Sequence, residues 1–246
     1  MSGHSKWSTI KRKKGALDAK RSKMFTKVVK EIMVAVKVGG GDPEANARLR
    51  LAIQSAKAVN MPKDNIQRAI TKAEGGASLE EYVFEGYAPG GVAVFIECLT
   101  DNTNRTISNI RLLFTKYGGN IGTQGSLSFI FDRKGVFEIK RDAIKTSFDE
   151  FELEIIDSGV DDIEIEDDTV VLTCLLEDFG CVQKKLDEMH IEIEKAELQR
   201  IPKDYKKLEL QEALKVMKFV DALEDDDDVS SVFHNLEMTE ELENEL

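Results

Sequence analysis

Lysine and arginine crowd the start of this chain in a pattern suited to one chemistry, the binding of phosphate oxygens. Between Gly3 and Gly15, Lys6, Lys11, Arg12, Lys13 and Lys14 surround the single tryptophan, Trp7. Cationic side chains hold a polyphosphate by releasing its condensed counterions, and an indole ring offers a face on which a base can stack. Trp7 can equally pack against a neighbouring helix. Lys20, Arg21, Lys23, Lys27 and Lys30 carry the positive series onward, largely at three- and four-residue spacing. Residues 1–75 hold 17 Lys and Arg against 6 Asp and Glu, while the remainder holds 17 against 40. A region of +11 thus sits on a chain whose net charge is −12, leaving −23 for the rest. That asymmetry points to a polyanion-binding arm on an acidic body, with nucleic acid as the polyanion. Charge alone does not separate DNA from RNA.

Other reactive residue types form no comparable constellation. His4, His190 and His234 are scattered, and no nucleophile with an adjacent base can be read from them. Cys98, Cys174 and Cys181 include no CxxC pair, which argues against a zinc site or disulfide framework and for buried free thiols in a reducing compartment. Asp225 to Asp228 are consecutive carboxylates without the alternating ligand spacing of a calcium loop, and they read as a solvated turn. The expectation is a protein with no catalytic turnover, metal, cofactor or small-molecule substrate. The polar stretch Thr100-Asp101-Asn102-Thr103-Asn104-Arg105-Thr106 has two readings. It is a helix-capping loop, or a second contact in which Asn102, Asn104, Arg105 and Arg111 reach a phosphate or an acidic partner.

These residues need elements to carry them. From Asp18 to Val38, Phe25, Val28, Val29, Ile32 and Val36 recur on one helical face, with Lys20, Lys23, Lys27, Lys30 and Lys37 opposite. This spacing predicts a helix with its lysines in solvent. The breaks Gly39-Gly40-Gly41-Asp42-Pro43 and Asn60-Met61-Pro62 separate it from two more helices, with Asp42 the expected cap of the second. From Tyr82 the period shortens. Strands are predicted at 82–87, 92–99 and 127–131, with a helix over 101–117. Residues 135–202 then read as β-α-β-β-α-β, the order of a ferredoxin-like unit. A last helix (207–223) and strand (229–236) cannot form a domain alone and are expected to complete the sheet begun at Tyr82, with 237–246 frayed. The predicted fold class is α+β and multidomain. A basic helical domain (1–79) precedes a discontinuous α/β middle domain (80–134 and 203–246), into which the ferredoxin-like unit (135–202) is inserted. No apolar segment follows the N-terminal lysines and none approaches membrane-spanning length, so a cytoplasmic protein with no membrane partner is expected.

Several motifs in order resemble the YebC/PmpR family. They are Gly3-His4-Ser5-Lys6-Trp7, Asp42-Pro43 with Leu49, and Asn60-Met61-Pro62-Lys63-Asp64-Asn65-Ile66 with Arg68-Ala69-Ile70. Glu85-Gly86-Tyr87 with Pro89-Gly90-Gly91, Thr100-Asp101-Asn102 with Asn104-Arg105-Thr106, and Gly118-Gly119 before Gly125-Ser126 match as well. The resemblance implies three domains and a cytoplasmic regulator of gene expression. Its members are described as DNA-binding transcriptional regulators, or as translational activators and ribosome-associated translation factors. DNA, or RNA on the ribosome, is then the implied partner, with basic protein surfaces as partners for the acidic domains.

Overall fold

The computed structural model describes residues 17–76 and 79–246, with side chains of the first helix from Lys23 onward. Three helices come first: α1 (Leu17–Gly39), α2 (Ala47–Ala58) and α3 (Lys63–Glu74). Gly40 turns the chain after α1 with a φ of 84°, a conformation that side-chain-bearing residues rarely adopt. Asn46, not Asp42, caps α2. Its Oδ1 accepts from the Leu49 amide at 3.1 Å, and its Nδ2 donates to Ala35 O and Gly40 O, each at 2.8 Å. An amide side chain can cap one helix while donating twice at the end of another, which a carboxylate cannot, and the Asp42 carboxylate accepts locally from the Glu44 amide. Leu49, Ala52, Ala56, Ile66, Ala69, Ile70 and Ala73 pack under α1. Ile32 to Val36 are buried without interruption. The helix therefore has two covered faces here, and Leu79 and Leu99, from beyond the three helices, belong to the same core.

Two antiparallel sheets follow. β1 (Glu80–Ala88) and β2 (Val92–Thr100) pair along their full length from Glu80↔Thr100 to Ala88↔Val92. α4 (Thr103–Tyr117) crosses one face and ends at left-handed Gly118, and the two-residue β3 (Asn120–Ile121) pairs with β1. The chain then departs to build the second sheet and returns as α7 (Leu210–Glu224) and β8 (Val229–His234). β8 pairs antiparallel with β2, giving the order β3-β1-β2-β8. Phe84, Ile96, Ile110, Phe114, Phe219 and Val220 form the core beneath α4 and α7, where Phe114 and Phe219 meet edge to face at 4.9 Å. Each such fully buried side chain contributes roughly 1.5–3 kcal/mol through apolar burial.

The second sheet comprises β4 (Phe131–Lys140), β5 (Val160–Glu166), β6 (Thr169–Leu175) and β7 (Ile193–Pro202), with α5 (Phe148–Ile156) and α6 (Phe179–Glu188) between strands. Its order, β5-β6-β4-β7, is that of a ferredoxin-like sheet. The pairing of β4 with β7 begins at Phe131↔Pro202, ahead of residue 135.

Two local expectations are corrected. Residues 124–130 are turns rather than a strand. The buried Glu85 carboxylate accepts from the Gly125 amide at 2.7 Å and the Leu127 amide at 2.6 Å, so Leu127 enters the core beside Phe95 and Phe131 as a plug. The last residues are not all frayed either. Thr239 caps α8 (Glu240–Glu245), whose Leu242 is fully covered in the core of the first sheet. Arg200 of β7 ties the two sheets together, donating to Glu97 at 2.9 Å and lying 3.8 Å above the ring of Phe95.

Candidate nucleic-acid interface

Lys6, Trp7, Lys11, Arg12, Lys13 and Lys14 lie outside the described residues, as do the side chains of Lys20 and Arg21. The rest of the lysine series is placed, and its members are bonded to the protein's own oxygens, with Lys27 and Lys30 partly buried and Lys23 at the rim. Lys23, Lys27 and Lys30 stand at four- and three-residue intervals on α1 and meet the turn 224–228 that joins α7 to β8. Lys23 Nζ lies 2.8 Å from Asp225 Oδ1 and also donates to the Asp225 carbonyl. Lys27 Nζ donates to the Glu224 carbonyl at 3.0 Å. Lys30 Nζ reaches Asp228 Oδ1 at 2.7 Å, Asp227 O at 2.8 Å and Leu99 O at 3.0 Å. Lys37 lies further along and donates to Leu79 O at 3.2 Å.

The turn is therefore solvated only in part, with Asp225 and Asp227 exposed and Asp228 buried, and the reason it meets α1 is electrostatic. The C-terminus of α7 is the negative end of its helix dipole, with no basic residue in its last turn. Four aspartates follow directly, so negative charge accumulates at one point. The α1 lysines supply the missing cations from the other side.

Asp228 is the centre of this contact, with its side chain only 3% exposed. Besides Lys30, it accepts from Arg105 Nε at 3.1 Å, from Arg105 Nη2 at 2.7 Å and from Thr106 Oγ1 at 2.9 Å. Burial pushes this carboxyl up, but the hydrogen bonds from Lys30, Arg105 and Thr106 outweigh it and hold it at about 2. The Arg105 guanidinium is shifted upward by its hydrogen bonds to Asp228 and Asp101. Lys27 is shifted downward, chiefly by burial and secondarily by Lys23, against the opposing pull of Glu224, Asp225 and Asp226.

The stretch 100–106 thus builds an internal nest. Asn102 caps α4 by accepting from the Arg105 amide at 3.1 Å, and the Thr106 hydroxyl, whose proton is on Asp228, accepts from the Thr100 hydroxyl at 2.8 Å. Of the four residues proposed there as a second contact, Arg105 is occupied by Asp228 and Asp101, and Asn102 acts as the cap. Asn104 and Arg111 remain exposed on α4. Cys98 and Cys174 are buried, their thiols pushed up to about 12 first by desolvation and then by nearby aspartates, while Cys181 is exposed on α6.

Helices α2 and α3 present cations of a different kind. Lys57, Lys63, Arg68 and Lys72 are exposed and make no ion pair with a described residue. Arg68 and Lys72 line an open groove on α3 together with Asp64, Gln67 and Thr71. Nothing in the periodicity of α1 reveals its occupied lysines. The available signal is the matching of a lysine run to an acid run about 200 residues away, which no local window contains. Among the described residues no three His, Cys, Asp or Glu side chains gather as metal ligands, and no helix is long and apolar enough to cross a membrane.

The fold and motifs recur in known proteins. A "Probable transcriptional regulatory protein" of Chlorobaculum parvum is 49% identical over 245 residues, covering 98% of this chain and 96% of the relative. A protein of the same description from Thermotoga petrophila is 49% identical over 241 residues, covering 97% and 94%. The crystal structure of a conserved hypothetical protein from Aquifex aeolicus superposes with a TM-score of 0.83 at 42% identity, covering 96% of this chain and 98% of that one. Residues 5–76 match the family described as "TACO1/YebC protein N-terminal domain", and residues 79–236 match "TACO1/YebC second and third domain". Three helices followed by two antiparallel α/β sheets, matched in this order along nearly the whole chain, place it: the protein belongs to the TACO1/YebC family.

Proposed function

We propose that this protein is a nucleic-acid-binding regulator of gene expression, acting in the cytoplasm as a DNA-binding transcriptional regulator without catalytic turnover. The observation that carries the reading is the segregation of charge, +11 in residues 1–75 against −23 in the rest. It is supported by relatives described as probable transcriptional regulatory proteins. Lys6, Lys11, Arg12, Lys13, Lys14, Lys20 and Arg21 supply phosphate contacts, with Lys23, Lys27 and Lys30 continuing the same series, and the acidic body keeps the rest of the surface away from the phosphates. Binding of this kind is mainly electrostatic, so the logarithm of affinity falls linearly with the logarithm of salt concentration. In anisotropy titrations of the full chain with a DNA duplex, Lys11→Glu with Lys13→Glu is expected to lower the salt slope by about two. A slope and affinity equal to wild type would overturn the reading.

A second reading is favoured by the acidic body itself. A remainder of −23 cannot lie along a duplex but can meet basic protein, as a ribosome-associated RNA-binding translation factor would require. Trp7→Ala separates the two, because loss of a stacking ring weakens single-stranded RNA far more than duplex DNA. Crosslinking in cells with sequencing of the attached nucleic acid identifies the target directly.

A further inference from the structure

We propose that the cleft between α1 and the 224–228 turn is itself a phosphate-backbone site, which the protein fills with its own carboxylates and carbonyls until nucleic acid displaces the turn. The proposal rests on the reading of the basic N-terminal region as the nucleic-acid-binding element, and it assigns that element a built-in competitor.

The oxygens on the turn stand where those of a polyanion would. Asp225 Oδ1, Glu224 O, Asp227 O and Asp228 Oδ1 meet three successive α1 lysines at 2.7–3.0 Å. Such distances are typical of an ammonium on a charged or carbonyl oxygen. The contact is graded from rim to centre. The side chains of Lys23 and Asp225 are 40% and 68% exposed, while those of Lys30 and Asp228 are 17% and 3% exposed. Exchange therefore begins at Lys23, the member of the three nearest in sequence to the basic arm. Exposed pairs of this kind are cheap to break and are further weakened by competing ions.

The inner pair is built to part without stranding a buried charge. When Lys30 leaves, Asp228 keeps Arg105 Nε, Arg105 Nη2 and Thr106 Oγ1, all from α4, which packs on the sheet that contains β8. Lys30 itself leaves only for another anion. Lys27 makes no ion pair with a described residue in the closed state, since its partner is the Glu224 carbonyl, and a phosphate would give it a full counter-charge. Displacement is thus an exchange of one set of acceptors for a more highly charged one. It makes three lysines available only to a ligand that has already engaged the arm.

The test uses the full chain, a short mixed-sequence DNA duplex and a single-stranded RNA of equal length. Asp225→Asn with Asp227→Asn removes two charges from the exposed part of the turn and leaves the Asp228 nest intact. It is expected to bind about three- to tenfold more tightly than wild type at fixed moderate salt. In wild type, saturation with nucleic acid is expected to speed hydrogen exchange at the amides of Asp226, Asp228 and Val229, which are bonded within the turn to Leu223 O, Asp226 Oδ1 and Asp226 O. Lys11→Glu with Lys13→Glu and Lys14→Glu separates this proposal from the reading beneath it. If that variant binds as wild type does, the N-terminal reading fails. If it loses binding, while Asp225→Asn with Asp227→Asn binds only as wild type and the turn amides stay protected, the displacement proposal alone fails.

Discussion

At Asp228, burial and hydrogen bonding act in opposite directions on one carboxyl group, and the bonds prevail at about 2 against an ordinary value of 3.8. A carboxyl depressed in the folded state contributes stability above its unfolded value and loses it as pH falls through the folded one. Stability is therefore expected to drop between about pH 4 and pH 2, with Asp228→Asn lacking that component in urea unfolding followed across this range. At neutral pH the same substitution leaves Lys30 without its buried counter-charge, and it is expected to cost on the order of 2–3 kcal/mol. Glu85 makes a parallel case through its hydrogen bonds alone. Its carboxylate closes the Gly125 and Leu127 amides with one oxygen each, so Glu85→Ala is expected to lose about 2–3 kcal/mol and Glu85→Gln, which can accept from only one of the two, nearly as much, by the same measurement. Neither role can be read from the residue type alone, because an acid between apolar neighbours in a strand could as well face solvent.

At the scale of elements, the helices show how far local rules reach. The stops at Gly39–Gly41 and Asn60–Pro62 and the apolar faces of α2 and α3 follow from periodicity and turn chemistry, and they stand in the structure. The cap of α2 falls at Asn46 rather than Asp42, since the choice depends on the end of α1 passing close enough to receive two further hydrogen bonds. Asn46→Ala is expected to cost about 2 kcal/mol in thermal or urea unfolding. Asn46→Asp keeps the acceptor for Leu49 but loses both donors, and should fall between the two. The lysine face of α1 departs further from expectation. Because it meets the acidic turn, Lys23→Glu with Lys27→Glu and Lys30→Glu sets like charges together and does not leave folding untouched. That variant is expected to lose about 3 kcal/mol, and a melting temperature equal to wild type would contradict the docking of α1 on the turn.

For the molecule as a whole, the contacts between layers include the lysines on the turn, Leu99 in the helical core, Leu51 of α2 against the core of the second sheet, and Arg200 on Glu97 and Phe95. Arg200→Ala removes an ion pair and a cation–π contact together. It is expected to cost about 1–2 kcal/mol and to raise hydrogen exchange along the facing parts of β2 and β7. The sequence by itself determined the separation of basic and acidic regions, the three helices, the β-α-β-β-α-β order and the family motifs. All of these are set by composition or by interactions within a few residues. Only the tertiary structure decided that residues 124–130 plug a core and that the lysines of α1 spend their charge on Asp225, Glu224, Asp227 and Asp228. A lysine stripe looks the same whether it faces water, phosphate or the protein's own carboxylates. The choice among them depends on which anion the packed cores bring within 3 Å, and helical periodicity carries no record of a partner some 200 residues away.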